Sequence, residues 1–323
     1  MSGLPQTAIV LGPRLADNVP LLGVALAGAM YWRGGSRRRS DRWRRSSMGR
    51  ERAMIEQRRT VAFVAALATL VLALQEPLDG LAGRFFWAHM TQHVLLLVVA
   101  APLLVVAAPW MRMWRALPLR MRRALAKSTA RAGWAAPLRA TARACAIPLV
   151  AWGLMNADIV AWHVPAAYDL TLRSSVVHYA EHAGFLLFAV LAWAQVIDSP
   201  PYRSRLDAPR RIAFALASMV VGWALALALA FARSPWYAPY LSAHHHSGGI
   251  SALADQQLAA GIMWVPASLP WSLAVFVLLY RSLSDRERRA VASVSSRSLE
   301  TSPASAGPAS RAPIVQPARR IHA

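Results

Sequence analysis

Blocks of arginine and runs of apolar residues alternate along this chain from end to end, and that alternation restricts its fold more than any other feature. Charge-poor stretches fall at 18–32, 60–75, 85–111, 144–163, 176–197, 212–232 and 256–280. At a rise of about 1.5 Å per residue, roughly 20 apolar residues cross a hydrocarbon core about 30 Å thick. The longer stretches therefore predict transmembrane helices. Those at 18–32 and 60–75 are short, so tilt, bilayer thinning or neighbouring helices must compensate. The expected fold is all-α, a polytopic membrane bundle of seven transmembrane helices.

The segments between these stretches share the 36 basic residues very unequally. Segments 33–59, 110–143, 198–211 and the tail from 281 hold 11, 9, 4 and 8 of them. The opposite set holds only Arg14, Arg84, Arg173 and Arg233. Basic residues stay on the cytoplasmic side of a membrane, so the N-terminus is expected outside and the C-terminus inside. A net charge of +21 on a chain that is 56% hydrophobic would, unsorted, suggest nucleic acid. Sorted by span it becomes an orientation signal, and the expected anionic partner is membrane lipid, with no nucleic acid. The organisation read from this pattern is a first helix and basic cytoplasmic loop over 1–59, a six-helix core over 60–281, and a disordered cytoplasmic tail over 282–323. The single cysteine, Cys145, excludes an internal disulfide and any cysteine-rich zinc site. Trp87, Trp162, Trp236 and Trp271 are expected as interfacial anchors. Gly222 and Gly261 are expected where helices approach closely.

The orientation also sorts the histidines. Of the nine, only His322 falls on the cytoplasmic side. His89 and His93 open the third span, His163 closes the fourth, and His178 and His182 open the fifth. Each of the pairs His89/His93 and His178/His182 is spaced i, i+4, which puts two imidazoles on one helix face. That spacing lets one helix offer two ligands to one metal ion. Glu181 lies between the second pair, giving H-x-x-E-H, the order of inverted zincins. Asp158 sits about 7 Å deeper than His163 along an ideal helix. Asp255, Gln256 and Gln257 open the last span, after an outer loop carrying His244, His245 and His246. Ionisable groups in a span are costly and should face the interior or water. Imidazole with thioether suits copper, and imidazole with carboxylate suits zinc or cupric copper.

Four runs in this layer together resemble a known family. They are His89-Met90-Thr91-Gln92-His93 followed by Ala101-Pro102-Leu103-Leu104, then Trp162-His163-Val164-Pro165-Ala166-Ala167-Tyr168. Next come His178-Tyr179-Ala180-Glu181-His182 with Phe185 and Trp193, and Asp255-Gln256-Gln257 continuing to Ile262-Met263-Trp264-Val265-Pro266. Over roughly residues 60–280 the chain resembles the seven-helix CtaG type of cytochrome c oxidase assembly factor, as distinct from the single-helix copper chaperone of the same name. The resemblance implies a multi-pass protein of the bacterial plasma membrane that matures a haem–copper oxidase of the caa3 type.

On this reading the chain is not an enzyme. It is expected to support copper delivery or insertion at the outer face, with a cytochrome c oxidase subunit, and an outer-face copper chaperone, as partners. The candidate ligands are His89, His93, His163, His178 and His182, with Met90 and Met263 helping to hold the cuprous form. Asp158, Glu181 and Asp255 are expected to orient the imidazoles by hydrogen bonding. Three alternatives stay open on the residues alone. One is an intramembrane zinc-dependent hydrolase with Glu181 of H-x-x-E-H as general base. Another is a haem b protein ligated by histidines from two helices, and the last is a metal-free chaperone for an oxidase subunit.

Overall fold

A computed structural model describes residues 18–35, 47–241 and 249–300, so His244–His246 and His322 lie outside the described residues. The described chain is helical, without a strand; an isolated bridge joins Ser199 and Tyr202. The helices are α1 (Val19–Gly35), α2 (Ser47–Leu74), α3 (Leu78–Ala82), α4 (Phe86–Ala107), α5 (Trp110–Ala116) and α6 (Leu119–Arg131). They continue as α7 (Ala136–Cys145), α8 (Pro148–Trp162), α9 (Pro165–Arg173), α10 (Ser175–Val196), α11 (Ala208–Ala230) and α12 (Ala252–Glu300).

Five of these, α2, α4, α10, α11 and α12, are long and apolar enough to cross a membrane. A sixth is reached if α7 and α8 count as one span, although the chain bends by 87° between them. The bend falls just before Pro148, whose fixed φ starts a helix well but cannot continue one. The stretch predicted at 144–163 is thereby reduced to the 15 residues of α8, about 22 Å long. The expected first span is α1, with 17 residues. At about 26 Å it falls short of a hydrocarbon core. The predicted stretch at 60–75 is the second half of α2, which starts in the basic segment at Ser47.

The chain divides after Leu279 into two compact units. The first holds the site. The second, from Tyr280, is helical as far as Glu300, beyond the predicted start of the disordered tail at 282. No proline or glycine occurs between Trp271 and Glu300 to stop that helix earlier.

Polarity in the first unit runs opposite to that of a water-soluble domain. Leu187, Val220, Leu269, Leu273 and Phe276 face outward, whereas His89, Gln92, His93, Glu181, Asp255 and Gln256 are buried. Helix α4 packs against α2 and α10, and α8 packs against α10 and α11. The aromatic centre is Trp193 of α10 stacked on Trp271 of α12, ring centroids 3.8 Å apart. Trp271, expected as an interfacial anchor, is therefore core; stacking with Trp193 removes both rings from the surface.

Helix α4 carries a π-turn at Leu95–Ala100, immediately after His93. The cause lies in Pro102, which has no N–H to give. The Ala101 N–H bonds back to Leu96, and the Leu97 carbonyl, whose next donor would be Pro102, takes the Trp193 indole N–H at 2.9 Å. The proline thus widens the helix just past the histidines, and the tryptophan seals the widened turn. Close helix approaches occur at other glycines than expected. A Cβ at Gly222 or Gly261 would meet nothing within 4 Å, whereas one at Gly184 would lie 3.2 Å from both carboxylate oxygens of Asp158.

Candidate metal centre

The side chains of the first turns of α4 and α10 meet: the His89 ring lies 5.0 Å from that of His178 and the His93 ring 5.4 Å from that of His182. His89, His93, Glu181 and His182, all buried, each offer one donor atom, and these four atoms lie within 4.8 Å of one another. Glu181 bridges the two rings of α4: Oε2 is 3.6 Å from His89 Nε2 and Oε1 is 3.5 Å from His93 Nε2. For bonds of about 2.1 Å, the edge of a tetrahedron around a metal ion is about 3.4 Å. Those two separations fit it.

The hydrogen-bond inventory favours a cation over a polar network. His89 Nε2, both nitrogens of His93, both oxygens of Glu181 and His182 Nε2 are buried with no hydrogen-bond partner. The hydroxyl beside Glu181, Thr171, gives its hydrogen to the Tyr168 carbonyl at 2.7 Å. A buried donor or acceptor without a partner costs about 1–3 kcal/mol, and charge raises that figure. Several such atoms aimed at one another are a set that a positive ion satisfies, and their neutral nitrogen and anionic oxygen character suits cupric copper or zinc.

A tyrosine orients His89. Tyr240 gives its hydrogen to the Ala82 carbonyl at 2.9 Å, and its oxygen accepts from Tyr168 at 2.8 Å. His89 Nδ1 lies 3.4 Å from that same oxygen. With the Tyr240 hydrogen committed elsewhere, Nδ1 carries the proton, which leaves a lone pair on Nε2, the nitrogen facing Glu181. Burial raises the Tyr168, Tyr237 and Tyr240 phenols well above their usual value, so all three hydroxyls remain donors. Tyr237 donates to the His163 carbonyl at 3.0 Å.

The carboxylates divide into separate tasks. Glu181, expected to orient imidazoles, stands among the donors themselves. Asp255, expected in the same orienting role, uses its oxygens on backbone instead, accepting the N–H groups of Phe86 at 2.7 Å and Trp87 at 2.9 Å. Those amides open α4 and have no partner within the helix. A negative charge there also complements the helix dipole. Asp255 thus fixes the helix that carries His89 and His93. The next residue, Gln256, donates to the Leu229 carbonyl at 3.0 Å and accepts from the Trp236 N–H at 2.7 Å. That pins the connection from which Tyr237 and Tyr240 project. Asp158 accepts from the Trp162 indole at 3.0 Å and lies against Gly184 of α10, with no hydrogen bond to an imidazole.

The remaining candidates surround the cluster. His178 is half-buried beside it, its ring 4.2 Å from that of His182 and 5.0 Å from that of His89. His163 closes α8 with its ring 6.3 Å from that of His93, and its Nε2 is 3.3 Å from Met90 Sδ. Met263 lines a cavity together with Met90, His93 and His163. Sequence reasoning missed Tyr237 and Tyr240. The signal was the aromatic run Trp236-Tyr237-Ala238-Pro239-Tyr240 in a short connection on the histidine side, read there only as a tryptophan anchor.

Fold and site define a class: an all-helical protein with membrane-length helices and a buried imidazole–carboxylate cluster where two of them begin. The family profile described as cytochrome c oxidase caa3 assembly factor matches residues 29–285, and the chain belongs to that family. The match covers both cluster-bearing helices and the Asp255 clasp. Neither a curated protein nor a solved structure matches the chain.

Proposed function

We propose that this protein supports assembly of a caa3-type cytochrome c oxidase by holding copper and releasing it to an oxidase subunit at the outer face of the bacterial plasma membrane. The observation that carries the reading is the group His89, His93, Glu181 and His182, buried donors within 4.8 Å of one another and otherwise without hydrogen-bond partners. In this reading α1 is the first of seven spans. The N-terminus is outside, because 32 of the 36 basic residues fall in the segments assigned to the cytoplasm. That orientation puts the cluster within reach of a copper chaperone and of the oxidase's outer domain.

Copper is cargo here, so the chemistry is ligand exchange. The chain's own residues have three tasks. Glu181 supplies one negative charge against the positive ion, and the neutral imidazoles supply nitrogen lone pairs. Tyr240 holds His89 in the tautomer that presents Nε2. His178, at the half-buried edge of the cluster, is the group best placed to pass the ion between the cluster and the outside.

Two measurements test this together. Purified full-length protein should bind cupric ion at the cluster, and Glu181→Gln should weaken that binding about 100-fold, the range seen when metal-site partners are removed. Oxidase from a strain lacking the protein should be deficient in copper, and a strain carrying His93→Phe should reproduce the deficiency. Full copper occupancy of the oxidase in the deletion strain overturns the reading. Normal occupancy with His93→Phe leaves a metal-free chaperone as the function.

A further inference from the structure

His163 is oriented by its own helix. Its Nδ1 lies 2.7 Å from the Ile159 carbonyl, which can only accept, so Nδ1 carries the hydrogen. The neutral ring then has only a lone pair on Nε2. That nitrogen faces Met90 Sδ at 3.3 Å, and a thioether has no hydrogen either. An imidazolium would need a carboxylate in so apolar a wall, and among the described residues none forms an ion pair with His163. Two lone-pair donors therefore confront each other, both buried, with no hydrogen between them. Ordinary packing separates such atoms.

Both residues line a cavity of about 80 Å³, with Met155, Met219, Met263 and His93 also in its wall. Methionine is a common filler of irregular cores. Here four methionines line a space that they leave unfilled. Four thioethers and an unprotonated imidazole nitrogen around one space make a soft-donor surface, the kind that selects monovalent copper over zinc or harder ions.

We propose that Met90 Sδ and His163 Nε2 form a second site, specific for cuprous ion, that opens onto the cavity walled by Met155, Met219 and Met263. The identity of the metal rests on the reading of the protein as a copper carrier; the donor geometry does not. His93 adjoins both sites, since it lines the cavity and also faces Glu181. The protein would then hold copper in two environments about one side chain apart, one of imidazole and carboxylate, the other of imidazole and thioether.

The test uses full-length protein in detergent, titrated with cuprous ion under reducing conditions and separately with silver(I), which mimics it without redox chemistry. Cobalt(II) reports on the imidazole–carboxylate cluster. Wild type should take two cuprous equivalents and show sulfur scattering in its X-ray absorption spectrum. Met90→Leu should lose one equivalent and the sulfur signal while keeping the cobalt spectrum, which also shows that the variant is folded. Glu181→Gln should lose the cobalt spectrum and keep the sulfur signal. Absence of sulfur scattering from cuprous-loaded wild type overturns the second site without any variant. So does a sulfur signal unchanged by both Met90→Leu and His163→Gln. Failure of the carrier reading would look different: silver would still bind through Met90, but oxidase copper would not depend on the protein.

Discussion

The two ends of α4 and α10 treat charge in opposite ways. At their far ends the arginines are partnered and partly open to solvent. Arg211 bonds the Asp198 carboxylate at 3.0 Å and the carbonyls of Val196 and Leu206. Arg112 reaches Glu56 at 3.4 Å and Thr60 at 3.1 Å, and lies 4.6 Å from the centre of the Tyr31 ring. At the near ends, His89, His93, Glu181 and His182 are buried and their facing atoms have no donors. The first arrangement is complete as it stands. The second is not: these donor atoms face one another without hydrogen-bond partners, an arrangement that a positive ion would complete.

The contrast can be broken by experiment, and the largest expected effect is structural. Asp255→Ala would leave the buried Phe86 amide and the half-buried Trp87 amide without acceptors, at about 1–3 kcal/mol for the buried one and less for the other. Thermal unfolding in detergent should show a marked drop, and metal binding should fail with it because α4 loses its anchor. An unchanged unfolding temperature would mean that the clasp does not hold the helix.

Next in size is metal affinity at the cluster. His182→Phe should weaken cupric binding by about 100-fold, and Tyr240→Phe, which leaves the donors in place but removes the partner of His89, by about 10-fold. Equal losses in both would show that Tyr240 supports the fold and does not merely orient a ring.

A smaller effect separates the two ends most directly. Glu181→Leu removes an unpartnered buried carboxylate, so the metal-free protein should keep its stability or gain about 1 kcal/mol. Asp198→Ala at the arginine end should cost, not gain. The loss should be below about 1 kcal/mol, since that pair is partly exposed and screened. If Glu181→Leu destabilises the metal-free protein as a broken salt bridge would, the cluster is a structural polar network and the contrast fails.

The smallest expected change concerns packing beside the cluster. Gly184→Ala would bring a methyl group within 3.2 Å of both Asp158 oxygens. It should leave cupric binding in place, because Asp158 makes no hydrogen bond to an imidazole, with little change in unfolding temperature. A large loss of stability would mean that α8 cannot yield by the few tenths of an ångström required.

Some of this was legible from the residues in order, because it depends on local spacing. Apolar length and the alternation of arginines mark the long helices, and the i, i+4 pairs put two imidazoles on one face of each of two helices. The short stretches were harder to read. Their length is close to that of an ordinary buried helix, and α7 and α8 became a bent pair at Pro148 where a single span was expected. The roles of the three carboxylates could not be read from spacing at all. Glu181, Asp158 and Asp255 look equivalent as acids near histidines. What separates them is the neighbour each one meets.

What the sequence by itself determined, then, is which segments are helical and apolar, which side of them is basic, and that the imidazoles gather in one layer opposite the arginines. Tertiary structure alone decided that Glu181 joins the histidines and that Asp255 holds the start of α4, a contact between residues 169 positions apart. It also decided which nitrogen of His89 and of His163 carries the proton. The physical reason is that a helix fixes the direction of a side chain by its own geometry. Its protonation and its partner are fixed by whatever donor or acceptor the rest of the fold brings within 3 Å or so.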